Sequence, residues 1–392
     1  MKKRVVFLLM ACMTMSLLTA CSSKPDSGTS GSSGEKQAGN NMVKKIVTSD
    51  EPVIIYSDTE DLAPGPNGEK AASVKELDLT DKQVEDAKAA GYTCALLTGG
   101  SGDGWNAFKQ GVHEQCDELG IEIVFEAEGN FDAAKQATDV ETAMALEPDI
   151  LVTMPVDSTA GAEVFRPAVE AGCKLVFLGN GVDGYTAGNE YVTLISGDYY
   201  GMGGTPADLI AEAIGGSGDI GMIYYDVNYY TTNMRDSKFE SVIAEKYPDI
   251  NIAAKQGFTV ESDTAEPTNA LMLQNPDIKA IYVSWDVAAE NVISELRALG
   301  REDVKVVTVD LGDTNDLDMA QRGIMYGKTA EPINSEGKAM IRAAVKDLSG
   351  EKVGPYYVSE YLVVTRDNLW KSFELAQGKD LPKNIKNALQ EK

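Results

Sequence analysis

From residue 92 onward, short continuous apolar runs alternate with longer stretches whose apolar positions recur at three- and four-residue spacing. The runs predict strands at 92–97, 121–125, 150–154, 175–178 and 191–195, and the amphipathic stretches predict helices at 105–119, 131–146 and 161–171. The order then restarts. Helices are expected at 202–214, 234–245, 264–273, 288–299 and 335–348, and strands at 220–224, 250–254, 278–283, 304–309 and 324–329. Because the strand runs are continuously apolar, they read as buried on both faces, hence as parallel sheets under helices. Two doubly wound α/β units in tandem imply a ligand held between them, beyond the carboxyl ends of the strands.

Upstream the pattern is weaker. A short strand is expected at 53–56, loop chemistry follows through Ala63-Pro64-Gly65-Pro66-Asn67-Gly68, and Thr80 with Gln83 forms a capping box for a helix at 81–90. The first residues have a different logic. Lys2, Lys3 and Arg4 precede an apolar stretch too short to span a bilayer, and Leu18-Thr19-Ala20-Cys21 follows. This resembles a bacterial lipoprotein signal, which implies lipidation of Cys21 and anchoring at an extracytoplasmic membrane surface. Residues 22–41, rich in Ser, Gly, Lys and Asn, read as a flexible tether. No later stretch is apolar and long enough to span a membrane.

The 392 residues carry a net charge of −26, which disfavours nucleic acids and anionic membrane faces as partners. Cys94, Cys116 and Cys173 lack metal-ligand spacing and read as buried free thiols, a disulfide between two of them being the alternative. With His113 the single histidine, a His-based triad or multi-histidine metal site is excluded. Asp310, Asp313, Asp316 and Asp318 miss the calcium-loop spacing, and no metal or cofactor is expected. The run Gly99-Gly100-Ser101-Gly102-Asp103-Gly104 is out of register for a dinucleotide fingerprint and lacks a following GK[ST]. An enzyme is not indicated.

One stretch concentrates binding chemistry. In IYYDVNYYTTNMRDSKF, residues 223–239, a strand ends in Asp226, Asn228 and tyrosines, and the next helix carries Arg235. A guanidinium, a carboxylate, an amide and aromatic faces at a strand-to-helix loop suit a small hydroxyl-rich molecule.

The segments FDAAKQATDVETAMALEPDILVTMPVDS, KLVFLGNG, NMRDSKF, VVTVDLGD and GKTAEP, in this order and spacing, resemble the sugar-binding proteins of ABC transporters, the type I or ribose-binding-protein-like group. The resemblance spans residues 77 to about 375. It implies two Rossmann-like lobes that close on a monosaccharide or polyol and deliver it to a membrane permease. It divides the chain into a signal (1–20), a lipidated Cys21 and tether (21–41), an N-terminal extension (42–90), lobe one (91–197 with 332–359) and lobe two (198–331 with 360–392). Residue by residue, it implies that Arg235, with Phe239 on the same helix, grips the ligand. Asp310 and Glu331 would accept its hydroxyls, Glu331 standing where an amide is commoner. Trp285 replaces a polar residue with a ring, Asn180 is the one side chain of its loop able to contribute, and Ser101, Asp103 and Trp105 occupy the first loop. The two indoles would then sandwich the ligand. Other readings of the same chain are a ligand-presenting sensor subunit for a receptor or histidine kinase, and a binder of a cationic or nucleoside ligand. A cytoplasmic repressor of this fold would need an N-terminal helix-turn-helix, which is replaced here by the lipoprotein-like signal.

Overall fold

In the computed structural model, described over residues 49–57, 62–101, 103–227 and 230–391, the apolar runs build two seven-stranded sheets. In spatial order the first contains β2 (Ala72–Ser73), β13 (Tyr356–Ser359), β7 (Thr193–Gly197), β6 (Lys174–Leu178), β5 (Ile150–Thr153), β3 (Thr93–Thr98) and β4 (Glu122–Glu128). Every pair in it is parallel. The second contains β1 (Val53–Ile55), β14 (Tyr361–Thr365), β12 (Met325–Ala330), β11 (Lys305–Val309), β10 (Ala280–Val283), β8 (Gly218–Tyr225) and β9 (Ile250–Phe258). It is parallel from β12 to β9, but β14 runs antiparallel to both its neighbours.

Successive residues of each central strand feed opposite cores, as the pleat requires. Along β3, Cys94 and Leu96 pack on one side with Phe108, Val112 and Met340, while Ala95 and Leu97 pack on the other with Val140, Phe165 and Ala168. In the second sheet, Tyr282 packs with Met202 and Phe239, and Ile281 and Val283 pack with Leu271, Val292 and Leu296. Both faces are therefore buried, which is why these strands read as unbroken apolar runs rather than alternating ones. Cys94, Cys116 and Cys173 are buried free thiols.

The chain passes between the sheets at three closely grouped points. β7 leads into the helix Tyr199–Ile214, β12 into the helix Ile333–Leu348, and β13 into β14 through the single residue Glu360. The last passage explains the antiparallel strand. The parallel strands of the second sheet end at the crossing, whereas β14 begins there. An all-parallel expectation for the second sheet is corrected accordingly.

The N-terminal segment joins both sheets, β1 beside β14 and β2 beside β13. Its helix Asp81–Ala90 carries the expected capping box, with Thr80 and Gln83 each bonding the other's backbone N–H. Two expected helices differ. The one at 161–171 is broken into Ser158–Val164 and Arg166–Ala171 around Phe165, with Pro167 in the first turn of the second helix. The one at 131–146 starts at Ala133, capped by Asp132, because Asn130 and Phe131 turn into the left-handed region at φ 53°. No described helix is long and apolar enough to cross a membrane, and Cys21 lies outside the described residues.

Candidate ligand site

The carboxyl ends of the two sets of parallel strands meet at the crossings. Glu331, just beyond β12, lies against the Cα of Gly197 at the end of β7: a methyl placed on Gly197 would stand 2.7 Å from the Glu331 Oε1. Only glycine leaves room for that carboxylate. Since β11, β10 and β8 run parallel to β12, and β6, β5 and β3 parallel to β7, the loops carrying Asp310, Trp285, Asp226, Asn180 and Ser101 all open toward this junction.

Arg235 is the centre of the polar group on the second-sheet side. Its helix, Tyr230–Lys246, crosses the helix Tyr199–Ile214 so closely that Gly203 lies directly on the Arg235 backbone. The residue is 5% exposed, and Nη1 donates to Asp310 Oδ2 at 3.4 Å. Its Nε is buried without a partner. Burial alone would lower the guanidinium pKa, but Asp310, Tyr282, Glu331 and Asp236 together hold it above its ordinary value. Asp310 itself sits at φ 71°, a left-handed conformation that a non-glycine residue adopts only under constraint. The next carboxylate on the helix, Asp236, is fully engaged by Tyr282 Oη at 2.9 Å and Ser284 Oγ at 3.1 Å. Burial still lifts it to about 6.

Three further acids crowd the same end. Glu331 is pushed well above the usual carboxylate range by burial and then by Glu336 and Asp310, with Arg235 opposing. Glu336 is fully buried; Ser359 Oγ donates to its Oε1 at 2.6 Å, and its Oε2 has no partner. Burial lifts it to about 7, with Glu360 and Asp310 adding to the effect. Asp286 reaches about 7 through burial and the Asp310 charge, against Lys328. Lys328 is committed elsewhere, its Nζ donating to Asp316 Oδ1 at 2.7 Å with both side chains fully buried.

The first-sheet side is aromatic. Trp105, half-buried, stands edge-on to Phe108 and Phe131, at centroid distances of 5.9 and 6.3 Å. The glycines Gly99 and Gly100 let the indole and the Phe131 ring close over the end of β3. Phe131 remains 63% exposed, an apolar face presented to solvent at the mouth of the loop. Asn180 donates from Nδ2 to Pro155 O at 3.1 Å, which ties two loops of this rim together. Ser101 is exposed.

The remaining expected residues are placed differently. Trp285 packs on Tyr225 and Phe258, at 5.1 and 4.8 Å between centroids, and its Nε1 donates to Glu261 Oε2 at 3.0 Å. Its ring is thus part of an aromatic cluster of the second sheet. The Asp226 carboxylate lies over Gly257 of edge strand β9, so it belongs to that rim rather than to the Arg235–Asp310 pair. Asn228 and the side chain of Asp103 lie outside the described residues. Sequence reasoning missed Glu336, Asp286 and Phe131. Glu336 follows Glu331 by five positions across the crossing, and Asp286 opens the helix Asp286–Ala298, but neither stands out among 61 acidic residues.

Comparison with known proteins agrees with this architecture. The periplasmic binding protein domain family matches residues 94–352. A Rhizobium meliloti protein named provisionally as rhizopine-binding is 23% identical over 265 residues, 67% of this chain and 85% of that protein. Among solved structures, a carbohydrate-transporter solute-binding protein of Agrobacterium radiobacter in complex with D-arabinose is 22% identical, with a TM-score of 0.61 over 73% of this chain and 99% of its own. An ABC-transporter solute-binding protein of Bacillus halodurans with bound myo-inositol is 18% identical, with a TM-score of 0.59 over 71% and 96%. The match to the family model over most of the chain, on a fold of two sheet-centred lobes with a polar junction between them, makes this chain a member of the periplasmic binding protein family.

Proposed function

We propose that this protein is the extracytoplasmic substrate-binding lipoprotein of an ABC importer, anchored through Cys21, that captures a monosaccharide or polyol and delivers it to a membrane permease. The observation that carries the reading is the buried Arg235, held on Asp310 and within the field of Glu331 at the crossing between the lobes. A guanidinium and carboxylates in such a place offer rigid donors and acceptors for several hydroxyls at once, as charge-assisted hydrogen bonds in a shielded cleft. Trp105 and Phe131 offer faces for the C–H side of a sugar ring.

Mechanistically, the ligand enters while the lobes are apart and bridges the Arg235 group on one lobe and the Trp105 rim on the other. It shifts the equilibrium toward closure only because it makes both sets of contacts in the closed form. The closed form is what the permease recognises. Binding involves no bond making or breaking, so the protein acts as a carrier rather than an enzyme.

A thermal unfolding screen of residues 42–392 against pentoses, hexoses, polyols and nucleosides tests this. At about 100-fold excess over Kd, a true ligand adds roughly 2.7 kcal/mol and raises Tm by several degrees. A shift confined to nucleosides, or to nothing hydroxyl-rich, would overturn the assignment.

A further inference from the structure

Three acids at the crossing lack cationic partners of their own among the described residues. Of the cations there, Lys328 is closed onto Asp316 and Arg235 is turned to Asp310. Glu331, Glu336 and Asp286 have no ion-pair partner among the described residues, and the other charged groups facing them are mainly acids: Asp310 faces all three, Glu360 faces Glu336, and Asp316 faces Asp286. Two atoms point independently to a missing ligand. Among the described residues Glu336 Oε2, on a residue with no exposed surface, has no hydrogen-bond partner, and Arg235 Nε, on a residue 5% exposed, is a donor without an acceptor. Buried polar groups are rarely left so unless something else completes them. A metal ion does not fit, because no group of three acidic, histidine or cysteine side chains among the described residues could hold one.

We propose that the ligand is a polyol carrying an amine, an amino sugar or aminocyclitol, whose ammonium group is received by the carboxylates of Glu331 and Glu336 while its hydroxyls meet Arg235 and Asp310. This rests on the reading of the crossing as a polyol site and specifies the ligand class within it. An ammonium supplies donors for the buried carboxyl oxygens and, where it displaces their proton, the charge that balances the carboxylate left behind. Arg235 does not oppose it, since Asp310 already offsets the guanidinium.

A consequence separates an amine from a neutral sugar. In the empty protein Glu331, Glu336 and Asp286 hold protons well above the usual carboxylate range. An arriving ammonium displaces a proton from one of these carboxyls to the buffer, so protons compete with the ligand. Affinity for the amine then falls as pH is lowered.

The experiment is titration calorimetry with matched pairs on pentose, hexose and cyclitol scaffolds, each a neutral polyol against its amino-deoxy counterpart, with glucose, glucosamine and N-acetylglucosamine as one set. It is run at about pH 7.5 and about pH 5.5, in buffers of different ionisation enthalpy. One amine should bind at least about tenfold tighter than its neutral partner at the higher pH. It should release protons as it binds, and lose most of that preference at the lower pH. In Glu331→Gln, and separately in Glu336→Gln, the preference should fall toward unity, with the unliganded Tm showing that each variant is folded. A neutral member that binds as tightly as its amine, with no proton release, overturns the amine proposal and leaves the polyol reading standing. Binding by no member of any pair overturns both.

Discussion

At the residue scale the candidate site rests on a few side chains whose surroundings fix their charge. Arg235 and Asp310 form a 3.4 Å pair, with the guanidinium almost entirely out of water. Removing either one would take away the charge-assisted bonds proposed for the ligand and leave the other charge poorly matched. Arg235→Ala and Asp310→Ala should each weaken binding by about a hundredfold or more while the far-ultraviolet spectrum stays that of the wild type. Micromolar binding kept in both variants would remove them from the site. Glu336 gives a prediction about the empty protein. Its carboxyl sits at about 7 when folded, against an ordinary 4.5 when unfolded. Between those values the folded protein binds more protons than the unfolded chain, so stability falls as pH rises from about 4.5 to about 7. The size is on the order of 3 kcal/mol for this group, and Asp286 adds to it in the same direction. Urea unfolding across that range should show the decline, and Glu336→Gln should flatten it. A stability that rises through this window in the ligand-free protein would contradict the placement of these acids. The sequence singles out Arg235, Asp310 and Glu331 because Asp310 and Glu331 follow strands and Arg235 lies in the early turns of a helix, in the order a family shares. Glu336 and Asp286 were not legible, since their importance lies in burial without a partner and the sequence does not print burial.

At the element scale, helix packing aims the site. The helix Tyr199–Ile214 carries Gly203 against the backbone of Arg235, and the helix Asp103–Leu119 carries Gly111 against Asn334 of the helix Ile333–Leu348. At both crossings a side chain would meet backbone rather than a movable side-chain tip. Gly203→Ala should therefore separate the two helices, cost about 1–3 kcal/mol as overpacking does, and shift the guanidinium off Asp310. Binding should weaken by more than the loss of stability alone explains, and a variant with wild-type Kd would show that Arg235 is not positioned by this crossing. The same scale shows which elements could be read in advance. Central strands buried on both faces announce themselves as runs such as Leu175–Val176–Phe177–Leu178. The start of the helix Ala133–Met144 was misread by two residues because Phe131 fits an apolar periodicity, yet it turns outward at positive φ beside Trp105. An apolar residue that continues a helical pattern but lies before the capping Asp132 is indistinguishable in sequence from a core position, and here it forms the rim of the candidate site.

At the scale of the whole molecule, the N-terminal segment is a further connection between the lobes. β1 lengthens the second sheet through β14, and β2 lengthens the first through β13, so the segment pairs with both lobes. The segment is fastened at Ser57 and at Pro64. Ser57 donates to Asp198, the capping residue of the helix Tyr199–Ile214, and Tyr230 Oη donates to Pro64 O at 2.7 Å. These bonds join the segment to the two helices that bring Gly203 and Arg235 together. The expectation is that this fastening holds the lobes close, so that removal of the segment favours the open form. A chain beginning at Val74 should lose several degrees of Tm, because the edges of β14 and β13 lose their paired strands and Asp198 Oδ2 loses the Ser57 donor. Its ligand should dissociate faster, with Kd raised roughly in proportion to the smaller closed population and association little changed. Stopped-flow binding separates the two rates. A truncated chain with unchanged dissociation but slower association would mean that the segment shapes entry to the cleft rather than the balance between its open and closed forms.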